Sequence, residues 1–79
     1  MTTLFFAQIR DFTGCPAADI AAGQSATSDE VWSLLADRFP GIEKFRSSTR
    51  LTRNGTFASD SEMFQNTDEV ALIPPVSGG

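Results

Sequence analysis

Pro74-Pro75-Val76-Ser77-Gly78-Gly79 closes the chain, and a carboxylate on an unhindered glycine is the group most suited to chemistry in this sequence. A carboxylate is a poor acyl electrophile. Adenylation with ATP would make it a mixed anhydride, and a sulfur donor could then displace AMP. The product, a thiocarboxylate, is a soft nucleophile that can hand its sulfur to a substrate. This chemistry asks of the chain only an accessible terminal glycine, which has no Cβ to meet channel walls or hinder attack at the acyl carbon. Gly79 is therefore the candidate reacting residue, and Gly78 the candidate that must thread a narrow channel with it. The six residues from Pro74 to Gly79 reach about 20 Å when extended.

No self-contained active site competes with the tail. Without histidine there is no Ser-His-Asp or Cys-His arrangement. A zinc site would need more Cys or His, and no GxxxxGK[ST] phosphate loop is present. Neither a metal nor a resident cofactor is expected. Asp68 and Glu69 are adjacent, but neighbours on a strand face opposite ways, so they read as a solvated strand entry. Cys15 before Pro16 reads as a small loop or core residue.

At 79 residues the chain makes one small domain, and 41% hydrophobic content suffices for one core. A net charge of −4 and a pI near 4.4 argue against nucleic acid, which needs clustered Lys and Arg. A protein partner with a basic rim suits this charge better. One cysteine cannot form an internal disulfide. No basic-then-apolar leader opens the sequence, and no apolar run approaches the ~20 residues of a membrane span. A cytoplasmic protein without membrane contact is the expectation.

The elements that must position the tail follow from periodicity. Thr2 to Ile9 reads as a strand, apolar on both faces as a central strand would be. Arg10 to Pro16 reads as a turn region, and Ala17 to Ala22 as a short second strand with Ile20 inward. Thr27-Ser28-Asp29-Glu30 has the form of a capping box. Val31, Leu35 and Phe39 then recur at every fourth position of an amphipathic helix, which Pro40-Gly41 ends. Ile42 to Arg46 suggests a helical turn. Arg50 to Arg53 reads as a strand, with a hairpin turn at Asn54-Gly55 and a return through Thr56-Phe57-Ala58. Met63 and Phe64 are expected to anchor the polar segment Ser59–Asn66. A turn at Asn66-Thr67-Asp68 leads into a last strand that the two prolines stop. The expected fold is α+β, a mixed sheet packed on one main helix, with a domain over residues 1–73 and a tail over 74–79.

Three segments carry a resemblance to a known family. Leu4-Phe5-Phe6-Ala7-Gln8-Ile9-Arg10, Arg38-Phe39-Pro40-Gly41 and Asp68 through Pro74-Pro75-Val76-Ser77-Gly78-Gly79 are similar, in order, to the MoaD-type sulfur carriers, the small subunits of molybdopterin synthase. The resemblance implies a β-grasp, ubiquitin-like fold with the first and last strands parallel and central. It implies ATP-dependent activation of Gly79 by an E1-like adenylyltransferase, and conversion to a thiocarboxylate with sulfur from a donating enzyme. The loaded tail would then enter the large subunit of a heterotetramer and build the dithiolene of the molybdenum cofactor. No cofactor would be bound by the chain itself. Many relatives carry Asp-Gly-Asp where this chain has Asn66-Thr67-Asp68, a turn in which asparagine tolerates left-handed geometry. The residue after the capping threonine, often apolar in the family, is Ser28.

Alternation in the last strand puts Val70 and Leu72 on one face and Ala71 and Ile73 on the other, and the resemblance implies that Val70 and Leu72 face the helix. Phe57, Ile73, Pro74, Pro75, Val76 and Ser77 are the candidate partner-binding residues around the tail. Three other readings stand beside the molybdopterin synthase subunit. They are a carrier for thiamine or cysteine synthesis, a ubiquitin-like modifier joined to lysines through Gly79, and an interaction domain with an inert tail.

Overall fold

The computed structural model describes residues 1–74. Its sheet has five strands in the order β2-β1-β5-β3-β4. They are β1 (Thr2–Phe5), β2 (Ala17–Asp19), β3 (Arg50–Arg53), β4 (Thr56–Phe57) and β5 (Glu69–Ile73). β1 and β5 pair in parallel, with Phe5 beside Leu72, and the other pairings are antiparallel. β5 lies at the centre, as its unbroken apolar run requires.

The helix α2 (Ser28–Arg38) crosses one face and begins as the sequence indicates. The Thr27 hydroxyl accepts the Glu30 N–H at 3.2 Å, and the Glu30 carboxylate accepts the Thr27 N–H at 3.0 Å, satisfying two otherwise orphaned donors. Val31, Trp32 and Leu35 from α2 pack with Phe5, Leu51, Val70, Leu72, Ile42 and Phe64 in a single core. Phe39, at the end of α2, sets its ring edge-on to Phe5 at 5.3 Å.

Three local expectations are corrected. The first strand does not run to Ile9. It ends at Phe5, and Ala7–Thr13 forms a helix, α1. Ile9 turns into the core and Phe12 packs against it, while Gly14 closes the helix at φ 78° with its N–H on the Arg10 carbonyl. The entry is tight, because Ala7 adopts φ 50°, a region disfavoured for residues with a Cβ. The sheet is therefore covered by α1 and the 3₁₀ helix Ile42–Ser48 as well as by α2. The second strand stops at Asp19 rather than Ala22, although Ile20 is buried as expected. Met63 is exposed, and of the two only Phe64 is buried, with paired backbone bonds to Ala26.

The expected turn at Asn66-Thr67-Asp68 forms, closed by the Asp68 N–H on the Gln65 carbonyl at 2.9 Å. Asn66 reaches it without left-handed geometry, since Ala7 and Asn54 are the non-glycine residues at positive φ among those described. The Asn66 side chain accepts the Ala22 N–H and donates to the Gly23 carbonyl, each at 2.7 Å. The Asn54-Gly55 turn does take positive φ at both residues, 52° and 86°, the geometry that matches strand twist in a two-residue hairpin.

Candidate functional site

Pairing register sorts the sheet's side chains onto two faces. Val70 pairs with Thr3 and Arg53, and Leu72 with Phe5 and Leu51. These residues look toward the helices, and Val70 and Leu72 are fully buried. The opposite, open face is built on the row Ala17, Leu4, Ala71, Thr52 and Phe57, each in register with the next across all five strands. Ile73 and Arg50 form the neighbouring pair on the same face. The expected division of β5 into two faces is thus seen directly.

The open face becomes more apolar toward the end from which the tail departs. β1 and β5 run the same way, so the ends of both strands meet there. Phe57 is 51% exposed, and the Arg50 guanidinium lies over its ring, 4.0 Å from the centroid. Ile73 and Pro74 are half-buried at the root of the tail. Phe6 continues β1 in extended conformation at φ −130° and ψ 155°. Alternation puts it on the face of Leu4 and Ile73, and it is 42% exposed. Large exposed apolar groups gathered at one place mark an interaction surface more than scattered ones do.

The sequence reading named Phe57, Ile73 and Pro74 but missed Phe6 and Arg50. The signal for Phe6 was present. A strand apolar on both sides hides its own facing, but pairing β1 in parallel with β5 assigns Phe6 to the face of Ile73. Arg50 carries no such signal, since only the tertiary position of Phe57 shows what lies beneath its guanidinium. Pro75, Val76, Ser77, Gly78 and Gly79 lie outside the described residues.

The far end of β5 is held by a polar latch. Buried Asp68 accepts from Arg53 Nε at 2.7 Å, from the Gln65 N–H at 2.7 Å and from Asn54 Nδ2 at 3.0 Å. Glu62 takes the other side of the Arg53 guanidinium at 2.9 Å. The Arg53 hydrogen bond, then those of Gln65 and Asn54, hold the Asp68 carboxyl below its ordinary value. Those contacts satisfy the carboxylate structurally, and Glu69 turns to the open face, so the adjacent acids do not converge. Cys15 is half-buried beside α1, packed against the core cluster. Among the described residues no group of three His, Cys, Asp or Glu could hold a metal ion, and no helix is long and apolar enough to cross a membrane.

The parallel pair β1–β5 inside a five-stranded mixed sheet, with α2 across one face, is the ubiquitin-like β-grasp arrangement. The sequence profile of the ThiS family matches residues 3–79, and the chain belongs to that family. It is 37% identical over 76 residues to the molybdopterin synthase sulfur carrier subunit of Arabidopsis thaliana, covering 96% of this chain and 79% of that protein. The subunit of the same name from Drosophila erecta is 34% identical over 79 residues, covering 96% and 87%. Among solved structures, SAMP1 from Haloferax volcanii superposes with a TM-score of 0.82 at 27% identity, covering 100% of this chain and 98% of that one. SAMP1 denotes small archaeal modifier protein 1.

Proposed function

We propose that this protein is a sulfur-carrier subunit of molybdopterin synthase, with the Gly79 carboxyl as the group it delivers. Adenylation of that carboxylate releases pyrophosphate, and a sulfur nucleophile supplied by a donor enzyme displaces AMP to leave the thiocarboxylate. In the large subunit's active site this sulfur passes to a pterin precursor, and the free carboxylate returns. The chain supplies the carrier and the docking face. The activating enzyme supplies ATP chemistry, and the large subunit supplies the remaining catalytic groups.

The observation that carries this reading is the position of the tail's root. Pro74 leaves the central strand at the edge of the apolar patch of Phe6, Ile73 and Phe57. A partner that covers this patch receives the following residues directly. The curated relatives' shared name supports the molybdopterin pathway over the thiamine and cysteine alternatives.

The test is the intact mass of the protein isolated from its native cell. The thiocarboxylate should appear about 16 Da above the free acid, the difference between sulfur and oxygen. A chain that shows only the free acid, even when its activating enzyme is abundant, refutes the reading.

The likeness to SAMP1 favours one second reading, a modifier joined to protein amines through Gly79. Trypsin discriminates between them. Arg53 is the last Lys or Arg in the sequence, so each conjugate would retain the whole segment from Asn54 to Gly79 on the target lysine. Detection of such branched peptides supports conjugation.

A further inference from the structure

We propose that Arg50 is a partner-recognition residue: it receives a carboxylate of the protein that accepts the tail, and so fixes the direction of docking. The proposal rests on the sulfur-carrier reading and adds the chemistry of the partner's contact surface.

Three observations carry it. First, Arg50 stands beside Ile73 on the open face, at the root of the tail. Second, it is exposed and has no carboxylate partner among the described residues. Arg46 pairs with Asp29, and Arg53 with Asp68 and Glu62. Third, the guanidinium is stacked 4.0 Å from the Phe57 centroid, which holds it over the apolar patch. A planar, pre-positioned fork is suited to bidentate binding of a carboxylate. Stacking lowers the ordering cost that an exposed long side chain would otherwise bring to an interface.

The open face is also charge-polarised. Glu69 and Asp19 flank Thr2 at its other end. Asp19 is 92% exposed there, although its carboxylate lies 3.4 Å from the Met1 ammonium. Glu69 lies four residues before Ile73 on β5, roughly 13 Å away at strand spacing. A partner with an acidic group at its channel mouth and basic groups about that far off would match both ends. The reversed docking would set like charges together and point the tail away from the channel.

The experiment measures binding of the full chain to the large subunit of molybdopterin synthase by calorimetry, for wild type, Arg50→Lys, Arg50→Gln and Arg50→Glu, with Ile73→Lys as reference. Arg50→Gln should weaken binding about tenfold and Arg50→Glu about a hundredfold, with Arg50→Lys between wild type and Arg50→Gln. The three Arg50 variants should keep a single cooperative transition within a few degrees of wild type, the shift expected from losing an exposed cation–π stack. A Lys introduced at one acidic position on the large subunit's contact surface should restore binding to Arg50→Glu. Phe57→Leu, which removes the stacking platform, should shrink the effect of Arg50→Gln, a non-additivity that a simple net-charge effect would not produce.

If Arg50→Glu binds as wild type while Ile73→Lys does not, the recognition proposal fails and the carrier reading stands. Tighter binding by Arg50→Glu overturns the proposal in favour of Arg50 holding the chain's own terminal carboxylate. A homodimer that Arg50→Glu disperses overturns it in favour of a second copy. Failure of wild type itself to bind the large subunit refutes the underlying reading.

Discussion

Phe57→Ala separates the two faces of the sheet by energy. Fully burying a phenylalanine side chain is worth about 1.5–3 kcal/mol. At 51% exposed, Phe57 has about half of that in the free protein, so truncation should cost ~1 kcal/mol of folding stability. In a domain this small that lowers Tm by about 4–8 °C. A partner covering the open face would bury the other half and hold Arg50 in place. The variant should therefore lose a further ~1–2 kcal/mol of binding, or about 5- to 30-fold in Kd. Leu72→Ala is the contrasting case. Its side chain is fully buried between Phe5 and Leu51 in the register of the sheet, where such truncations cost about 2–5 kcal/mol. That is a large share of the roughly 4–12 kcal/mol expected for a chain of this length. Urea melts of both variants, beside calorimetry with the large subunit, read these quantities separately. If Phe57→Ala melts as early as Leu72→Ala, or binds with unchanged affinity, the assignment of faces is refuted.

Gly78→Val should slow both adenylation and sulfur transfer while leaving the melt unchanged, because it adds a β-branched side chain to the segment that both partner enzymes must thread. Wild-type rates with either enzyme would count against a narrow channel. Asp68→Asn should flatten the acid end of the stability curve. The Asp68 carboxyl is held below its ordinary value by Arg53, Gln65 and Asn54. Its contribution is therefore complete above about pH 4 and lost as pH falls through the depressed folded value. Urea midpoints measured from pH 6 down to pH 2 check this, and parallel curves for variant and wild type would contradict it. Thr27→Ala removes the cap of α2 and should cost ~1 kcal/mol, with Thr27→Ser close to wild type in the same melt.

Local signals in the chain sufficed wherever neighbours in sequence make the structure. The Thr27–Glu30 capping box, the Asn54-Gly55 turn and the alternation of β5 are short-range arrangements whose side-chain requirements are written within a few residues. The absence of histidine and the Gly78-Gly79 ending likewise narrowed the chemistry before any fold was known. Where β1 ends was a different matter. Leu4, Phe5, Phe6 and Ile9 are good strand formers, yet the chain turns at Ala7 because the core takes Ile9 and Phe12 from a helix closed by Gly14. Asn66 sits in the expected turn, but its side chain also bridges to Ala22 and Gly23, more than forty positions away. In sequence, Arg50 reads only as the first residue of a strand. Its neighbour Phe57 is supplied by the hairpin's return strand, and its place beside the tail by antiparallel pairing with Ile73. These were decided by tertiary structure, because strand register brings together residues that share no local pattern. Which face a side chain occupies depends on the partner strand as much as on its own alternation.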